Sequence, residues 1–371
     1  KMGASLDWNR EAFTLDEIRN RAVRMVFKKM YDDGIIYRGD RIVNWDPLMQ
    51  SNVSDDEIEW KEEIGVFYYF QYGPFVIATA RPETKFGDKY VVMHPSDERY
   101  AEYKNGQKIE LEWINGPIVA TIIKDEAVDP SFGSGVMTIT PWHDKVDFDL
   151  AEKHKLEKEQ IVDFNGNLLP IAGEFAGLDA RAAREKIVAK LQSKGLVVKI
   201  EENYTHNIAV NYRGSGLIEP QIRKQWFIDV NKKFILEKSF LKGIKEGEKI
   251  TLKELMQKVV QNGQIEIIPE RFKKIYFHWI DNLRDWCISR QIWYGHRIPV
   301  YYCKQGISKC NEPVVSVEEI KECPHCKGKI EQDSDTLDTW FSAGIWSFST
   351  LLNKDFVKFK SLNEWIKNSP D

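Results

Sequence analysis

The feature that most constrains the fold of this chain is the segment GSGVMTITPWHDKVDFD, residues 133–149. Alternating apolar and polar side chains predict a β-strand over 135–140. Pro141 lacks the N–H group that a sheet ladder needs, so it ends the strand. A helical pattern follows at once, which predicts a strand that turns directly into a helix.

Polar side chains gather at this junction. Strand alternation places Thr138 and Thr140 on one face. Asp144 is positioned to cap the helix, and Asp147 lies in its first turn, where a negative charge stabilises the helix dipole. Capping and strand propensity explain these residues without a function. A divalent-metal site formed by His143 and the three aspartates of the segment is the alternative that the residues themselves leave open.

Length, composition and charge limit the class of protein that this chain can be. The 371 residues suffice for two or three domains, and 42% hydrophobic with 30% charged residues is typical of a folded globular chain. The net charge of −4 gives no overall signature of nucleic-acid binding. No long apolar run or signal segment is present, so we expect a cytoplasmic chain that does not contact membranes. We also expect a monomer.

Two helices can be predicted with their ends. Thr14, with Glu17 three residues later, matches a capping box for a helix that ends near Gly34. A second helix is predicted after Asp179 as its cap, with Gly195 closing it.

Strand signals dominate the middle of the chain. Residues 64–79 are rich in aromatic and β-branched side chains and are broken by a turn at 72–74, which predicts a hairpin. Further short strands recur up to the segment 135–140. Residues 55–205 therefore read as a separate mixed α/β module.

Four of the five cysteines crowd into one stretch, which indicates a metal site rather than disulfides. The pair in Cys323-Pro-His-Cys326 has the spacing of a zinc knuckle, and His325 is an alternative ligand. Cys287 is predicted to be a core or groove residue. The predicted zinc ligands are Cys303, Cys310, Cys323 and Cys326.

Two motifs carry a resemblance to a known family. TARPETKFGD at 79–88, together with the segment 133–149, resembles the editing-domain signatures of the valyl, isoleucyl and leucyl branch of class I aminoacyl-tRNA synthetases. Glu83 and the Gly87-Asp88 ending are similar to the valyl members. Further agreement comes from residues 2–8, 283–299 and 335–351.

The resemblance implies an architecture. A strand-rich editing domain is expected inside parts of a Rossmann-type catalytic domain, with a small zinc-binding insertion. The H-I-G-H and K-M-S-K-S motifs, which hold ATP in this family, do not occur in the sequence. The chain is therefore expected to be an internal piece, with ATP bound only by the full-length parent. The implied domains are 1–54 (catalytic), 55–205 (editing), 206–302 (catalytic), 303–330 (zinc ribbon) and 331–371 (catalytic).

The resemblance also implies an activity. The parent would ligate valine to tRNA(Val), and this piece would hydrolyse mischarged threonyl-tRNA(Val) by water attack without a covalent intermediate. An isoleucyl or leucyl editing fragment, and a non-catalytic zinc-ribbon module that binds RNA, are the alternatives.

Site residues follow from the same motifs. Asp147 would bind the α-ammonium group, Thr138 and Thr140 the substrate hydroxyl, and Trp340 would line the valine pocket. The implied catalytic residues are Asp147, Asp144 and His143. The implied substrate-binding residues are Thr79, Arg81, Thr84, Thr138, Thr140 and Trp340.

The chain departs from the family pattern at two places. Valyl members commonly carry lysine where this chain has Thr138. Residues 44–49 read NWDPLM in place of a cysteine-containing zinc knuckle, so only the later cysteines are expected to bind zinc.

Overall fold

The computed structural model describes residues 3, 5, 7–131, 133–305 and 310–368. Part of the predicted motif at 2–8 lies outside these residues. The chain divides into two compact units, one formed by Lys1–Gly39 with Lys224–Asp371 and the other by Asp40–Arg223. No helix among the described residues has both the length and the apolar character needed to cross a bilayer.

Helices occur along the described chain. They are α1 (Glu17–Asp32), α2 (Lys145–His154), α3 (Arg184–Ser193), α4 (Leu252–Gln261), α5 (Lys273–Asp281), α6 (Thr339–Gly344), α7 (Trp346–Ser349) and α8 (Leu362–Asn368).

Strands are more numerous than helices. They are β1 (Ile36–Asp46), β2 (Ser51–Val53), β3 (Ile58–Tyr72), β4 (Phe75–Thr79), β5 (Tyr90–Met93), β6 (Lys108–Trp113), β7 (Gly116–Lys124), β8 (Val136–Thr138), β9 (Val197–Asn211), β10 (Glu219–Ile228), β11 (Phe234–Ile235), β12 (Lys249–Ile250), β13 (Trp286–Cys287), β14 (Ser289–Arg290), β15 (Val300–Cys303), β16 (Val314–Val315), β17 (Ile330–Gln332) and β18 (Thr336–Leu337). The mixed, strand-rich α/β class predicted from the sequence is confirmed.

Two sheets lie wholly within the unit Asp40–Arg223. One is antiparallel with the order β4-β3-β9, and the other has the order β6-β7-β5-β8. The predicted hairpin is confirmed, because Tyr72 pairs with Phe75 across a two-residue turn. Gly73 has a φ of 56°, which suits the first turn position of a type II′ hairpin.

The register of the second sheet positions the β-to-α junction. β5 pairs in parallel with β7 and antiparallel with β8, so that Thr138 at the end of β8 lies opposite Val91 near the start of β5. The short 3₁₀-helix Pro82–Gly87 ends two residues before β5. The sheet therefore brings the two sequence motifs, 79–88 and 133–149, to the same end of the same sheet.

Core aromatic residues hold the turn between β4 and β5. Tyr72 and Trp113 are buried and meet edge to face, with ring centroids 4.7 Å apart. The Tyr72 hydroxyl donates to the carbonyl of Asp88 at 2.7 Å, and the Trp113 indole donates to the carbonyl of Lys85 at 2.7 Å. A buried aromatic with a polar group needs such an acceptor, so the hydrophobic core fixes this turn.

The other unit has its own apolar core. Val23 and Phe27 of α1 pack with Trp226, Ile298 and Phe341 among its buried residues. Short antiparallel pairs join β14 to β18 and β15 to both β16 and β17.

Two predicted helix starts are wrong. α1 begins at Glu17 with Asp16 as its cap, because Oδ1 of Asp16 accepts a hydrogen bond from the Arg19 amide at 2.8 Å, and no capping box forms at Thr14. Asp179 accepts from the amide of Ala182 in a preceding turn, whereas α3 begins only at Arg184.

The predicted ends of both helices are confirmed. Gly34 and Gly195 follow α1 and α3 with φ of 73° and 70°. The strand predicted over 135–140 is shorter than expected and covers only Val136–Thr138.

Candidate active site

A buried polar cluster forms where the turn before β5 meets the end of β8. The Thr138 hydroxyl donates to Oδ2 of Asp88 at 2.8 Å. The Lys85 ammonium donates to the Thr138 hydroxyl at 3.1 Å and to Oδ1 of Asp88 at 3.3 Å. Valyl members commonly carry a lysine at the position of Thr138. In this chain, the ammonium group beside that position comes from Lys85 instead.

Thr138 ends β8 and Thr140 lies beyond it, so the two do not share one strand face as predicted. Both are buried, and the intervening Ile139 is buried too. The Thr138 hydroxyl is already bonded on both sides, and the Thr140 amide donates to Oδ2 of Asp147 at 2.7 Å. Both threonines are part of a packed network because the strand ends at Thr138 and the chain turns inward.

Asp147 and Asp144 have different environments. Asp147 is buried in the first turn of α2. Asp144 is exposed and caps α2 as predicted, since Oδ1 accepts from the amides of Val146 and Asp147 at 2.7 and 3.0 Å. Asp144 acts on the site through its charge.

Burial makes both inner carboxyl groups weak acids. Loss of water, followed by the charge of Asp144, raises the pKa of Asp147 to about 7, although the Thr140 amide lowers it. Burial also raises the pKa of Asp88 to about 6, against the Lys85 ammonium and the Thr138 hydroxyl. The two groups change protonation near neutral pH, which is typical of functional sites.

An ion-pair network borders this cluster. Arg81 donates to both carboxylate oxygens of Glu219 at 2.8 and 2.6 Å and to Glu83 at 3.2 Å. Arg184 makes a two-point contact with Glu83 at 2.8 and 2.7 Å. Burial lowers the pKa of Arg81, but the two carboxylates outweigh it and raise that pKa above its usual value. Arg81 is thus held by protein groups.

His143 is fully engaged by the protein. Its Nδ1 lies 2.9 Å from Oε1 of Glu219, and its Nε2 accepts from the amides of Ile161 and Val162 at 3.0 and 3.1 Å. An imidazole whose Nε2 accepts two amides carries its proton on Nδ1 and has no lone pair left for a substrate. Both ring nitrogens of His143 are thus occupied by protein groups, and its implied catalytic role stays a prediction.

Thr79 and Thr84 shape the backbone around Arg81. The Thr79 hydroxyl accepts from the Arg81 amide at 2.9 Å, and the Thr84 hydroxyl donates to the Arg81 carbonyl at 3.0 Å. Both threonines therefore set the path of the turn.

Trp340 belongs to the other compact unit. It lies in the first turn of α6 and its side chain is 58% exposed, so it is not a core tryptophan. Its expected role in a valine pocket stays a prediction.

The four predicted cysteine ligands come together. Their sulfur atoms all lie within 4.8 Å of one another, with 3.5 Å between Cys303 and Cys326 and 3.8 Å between Cys310 and Cys323. Tetrahedral zinc with Zn–S bonds of about 2.3 Å places sulfurs roughly 3.8 Å apart. His325 is exposed and is not part of the group. The donor set and spacing fit one structural zinc ion.

Backbone groups support this knuckle. The Cys323 amide donates to the Gly328 carbonyl at 2.9 Å, and the Lys327 amide donates back to the Cys323 carbonyl at 2.8 Å. Burial raises the pKa of Cys323, but amides of Cys326 and His325 outweigh it and lower that pKa to about 7. Burial and the neighbouring thiols raise the pKa of Cys310 to about 12, so the thiolate form that metals bind is favoured at Cys323 and not across the whole cluster.

The sequence motifs missed several residues of the polar network. Lys85 and Asp88 lie inside the quoted motif TARPETKFGD, so their burial could have been suspected from the surrounding pattern. Glu219 and Arg184 have no local signal, because they lie far along the chain and reach the site only through the fold.

Comparison with known proteins gives the class of this chain. A family model described as tRNA synthetases class I (I, L, M and V) matches residues 1–362, and the chain belongs to that family.

Curated relatives show which members of this family the chain is similar to. The chain is 44% identical to the valine--tRNA ligase of Pseudothermotoga lettingae over 358 residues, which cover 94% of this chain and 38% of that protein. It is 43% identical to the valine--tRNA ligase of Clostridium tetani over 359 residues, covering 95% and 38%. The chain therefore spans well under half the length of these relatives. A solved LeuRS-tRNA-LeuAMS complex from Agrobacterium radiobacter K84 aligns over 93% of this chain and 45% of that one, with 16% identity and a TM-score of only 0.31.

Proposed function

We propose that this chain is part of a valine--tRNA ligase and that its unit Asp40–Arg223 hydrolyses mischarged threonyl-tRNA(Val). The family membership and the valine--tRNA ligase relatives support the first part. The parent would join valine to tRNA(Val) with ATP. Residues 55–205 would be the editing domain, the segments 1–54, 206–302 and 331–371 parts of a Rossmann-type catalytic domain, and 303–330 a zinc ribbon.

Asp147 is the observation that best supports the editing proposal. Its Oδ2 is fixed by the Thr140 amide, and no hydrogen bond from the described residues reaches its Oδ1. A buried carboxylate with one oriented, unbonded oxygen is a suitable receptor for the α-ammonium group of an aminoacyl ester. Lys85, Asp88 and Thr138 form the polar wall of the same cluster.

The chemistry is hydrolysis of an ester. A water molecule attacks the carbonyl carbon, the bond from that carbon to the terminal ribose oxygen breaks, and the ribose oxygen takes a proton. Threonine and free tRNA are released. The residues around Asp147 bind and orient the aminoacyl group for this attack, and no covalent enzyme intermediate is required.

Editing is needed because the apolar pocket that first selects the amino acid has limited selectivity. An apolar pocket cannot strongly reject an isostere that merely adds a hydroxyl, and valyl enzymes facing threonine are a standard example. A second, polar site can accept the hydroxyl of threonine and reject valine, because valine would leave buried polar groups unpaired. The cluster around Lys85 and Asp88 has this polar character.

A deacylation assay tests the proposal. The 371-residue chain is mixed with tRNA(Val) charged with threonine or with valine, and release of the amino acid is followed over time. We expect hydrolysis of the threonyl ester only, and a loss of roughly 100-fold or more in Asp147→Ala. Asp149→Ala, on the exposed side of the same helix, is the matched control. Unchanged hydrolysis in Asp147→Ala would reject the site.

A further inference from the structure

Lys85 is the one buried lysine among the residues that the structure describes, with 6% of its surface exposed. Burying an ammonium group is costly unless its charge and its three N–H donors find partners. Two of these donors have protein partners, the Asp88 carboxylate and the Thr138 hydroxyl. No third acceptor from the described residues reaches this ammonium, so one donor is available to a bound molecule.

The ammonium is held in place from its backbone outward. The carbonyl of Lys85 accepts the indole N–H of Trp113, and the carbonyl of Asp88 accepts the Tyr72 hydroxyl. Both aromatic side chains belong to the hydrophobic core. This fixed backbone, together with the bonds of the ammonium to Asp88 and Thr138, limits the entropy that the donor loses when it binds a ligand.

The ammonium also lies near the carboxylate that would receive the substrate. Its charge acts on Asp147 and lowers that group's pKa, against the larger effect of burial. The cluster therefore presents an acceptor, Asp147, and a donor, Lys85, to one small molecule. An amino acid with a side-chain hydroxyl offers the complementary pair, an α-ammonium and a hydroxyl oxygen.

We propose that Lys85 determines specificity by donating its remaining N–H to the side-chain hydroxyl of the aminoacyl group. This inference rests on the proposed editing function. An aminoacyl group without a hydroxyl leaves the buried ammonium with an unfilled donor, which penalises binding of that group. The ester carbonyl oxygen is the competing acceptor, and it is common to every aminoacyl ester.

Two substrates separate these acceptors. Threonine and 2-aminobutyrate differ only by the hydroxyl, so tRNA(Val) is charged with each and the ratio of their deacylation rates is measured. In Lys85→Met we expect the threonyl rate to fall roughly 10- to 100-fold, as for loss of a hydrogen bond to a charged group, and the aminobutyryl rate to change less than about 3-fold. An equal fall for both substrates would overturn the inference, because it would indicate a structural role or contact with the ester carbonyl.

A second variant separates loss of the proposed hydrogen bond from a general disruption of the site. Lys85→Met leaves the Asp88 carboxyl buried without its cation, so Lys85→Met combined with Asp88→Asn removes both charges together. The same selective loss of the threonyl rate is expected in the double variant, and a preserved threonyl preference would reject the role of Lys85. Wild-type chain that hydrolyses neither ester would instead reject the proposed editing function.

Discussion

The backbone amide of Thr140 donates a 2.7 Å hydrogen bond to Oδ2 of Asp147, across the turn that joins β8 to α2. This bond links the end of a strand to the first turn of a helix, and it orients a carboxyl group that is only 6% exposed. Asp147 is therefore a buried acid with one oriented oxygen and one oxygen that no described residue bonds.

The raised pKa of Asp147 predicts a pH-dependent cost in stability. Its pKa rises from 3.8 to about 7 on folding, so the folded chain holds this proton more tightly than the unfolded chain. The contribution of this one carboxyl group to stability is therefore full below about pH 4, and it is lost as the pH rises through about 7. The free energy of unfolding of Asp147→Asn, relative to that of wild type, should therefore increase by on the order of a few kcal/mol as the pH is raised from 5 to 8. Urea unfolding at both pH values measures this difference.

Asp149→Asn is the control for that measurement, because Asp149 is exposed on the same helix. Its stability difference from wild type is expected to vary by less than about 0.5 kcal/mol over the same range. If Asp147→Asn tracked this control, the buried carboxyl would not be the source of the pH dependence.

The same ionisation predicts the pH profile of hydrolysis. A carboxylate binds the α-ammonium group, whereas the protonated acid does not, so the enzymatic rate should rise with pH and level off above about 7. The charge of Asp88 also raises the pKa of Asp147, although it is the last of the causes. Threonyl-tRNA(Val) deacylation from pH 5.5 to 8.5, with the uncatalysed rate subtracted, is the measurement. A profile that is flat across pH 7 would contradict this role.

The Arg81–Glu219–His143 network predicts acid sensitivity. Burial raises the pKa of Glu219, but Arg81 and His143 outweigh it and lower that pKa from 4.5 to about 2. The resulting stability is present above about pH 4.5 and is lost as the pH falls through about 2. We expect Glu219→Gln to lose roughly 3 kcal/mol at pH 7 and to lack this acid-dependent component, because Arg81 is left without its main partner.

Glu202→Gln provides the comparison for this network, because Glu202 is exposed on β9. Thermal unfolding of both variants at pH 7 and pH 3 is sufficient. Equal effects of the two substitutions at pH 7 would show that the buried network contributes no more than a surface carboxylate.

The cysteine cluster predicts a bound metal. We expect one zinc ion per purified chain by elemental analysis, and its loss when Cys323→Ala and Cys326→Ala are combined. Cys287→Ala removes a cysteine outside the cluster and should retain the metal. Zinc that persisted in the double variant would exclude this site.

Local signals in the sequence predicted local structure well. The hairpin around Gly73, the cap at Asp144 and the helix-ending Gly34 and Gly195 were all readable, because each depends on a few neighbouring residues. The start of α1 was misplaced because Asp16, two residues beyond Thr14, provides the cap. Thr14 and Asp16 are both suitable capping residues, so the sequence alone does not show which of them begins the helix.

The buried network could be predicted only in part. The four cysteine sulfurs converge as their spacing suggests. The partner of His143 could not be foreseen, since Glu219 lies 76 residues along the chain and reaches it through sheet packing. The partners of the Thr138 hydroxyl, Lys85 and Asp88, could not be foreseen either, and its expected contact with a substrate stays a prediction. Long-range pairing of this kind follows from tertiary packing, which periodicity does not encode.

The hydrogen bonds from Tyr72 and Trp113 to the carbonyls of Asp88 and Lys85 join the hydrophobic core to the polar cluster. A smaller ring at either position would displace the ammonium and carboxyl groups by a fraction of an ångström, which is enough to change a hydrogen bond. Under the proposed editing function, a substitution in this aromatic core would therefore change which amino acids the site accepts, in addition to its effect on the stability of the fold.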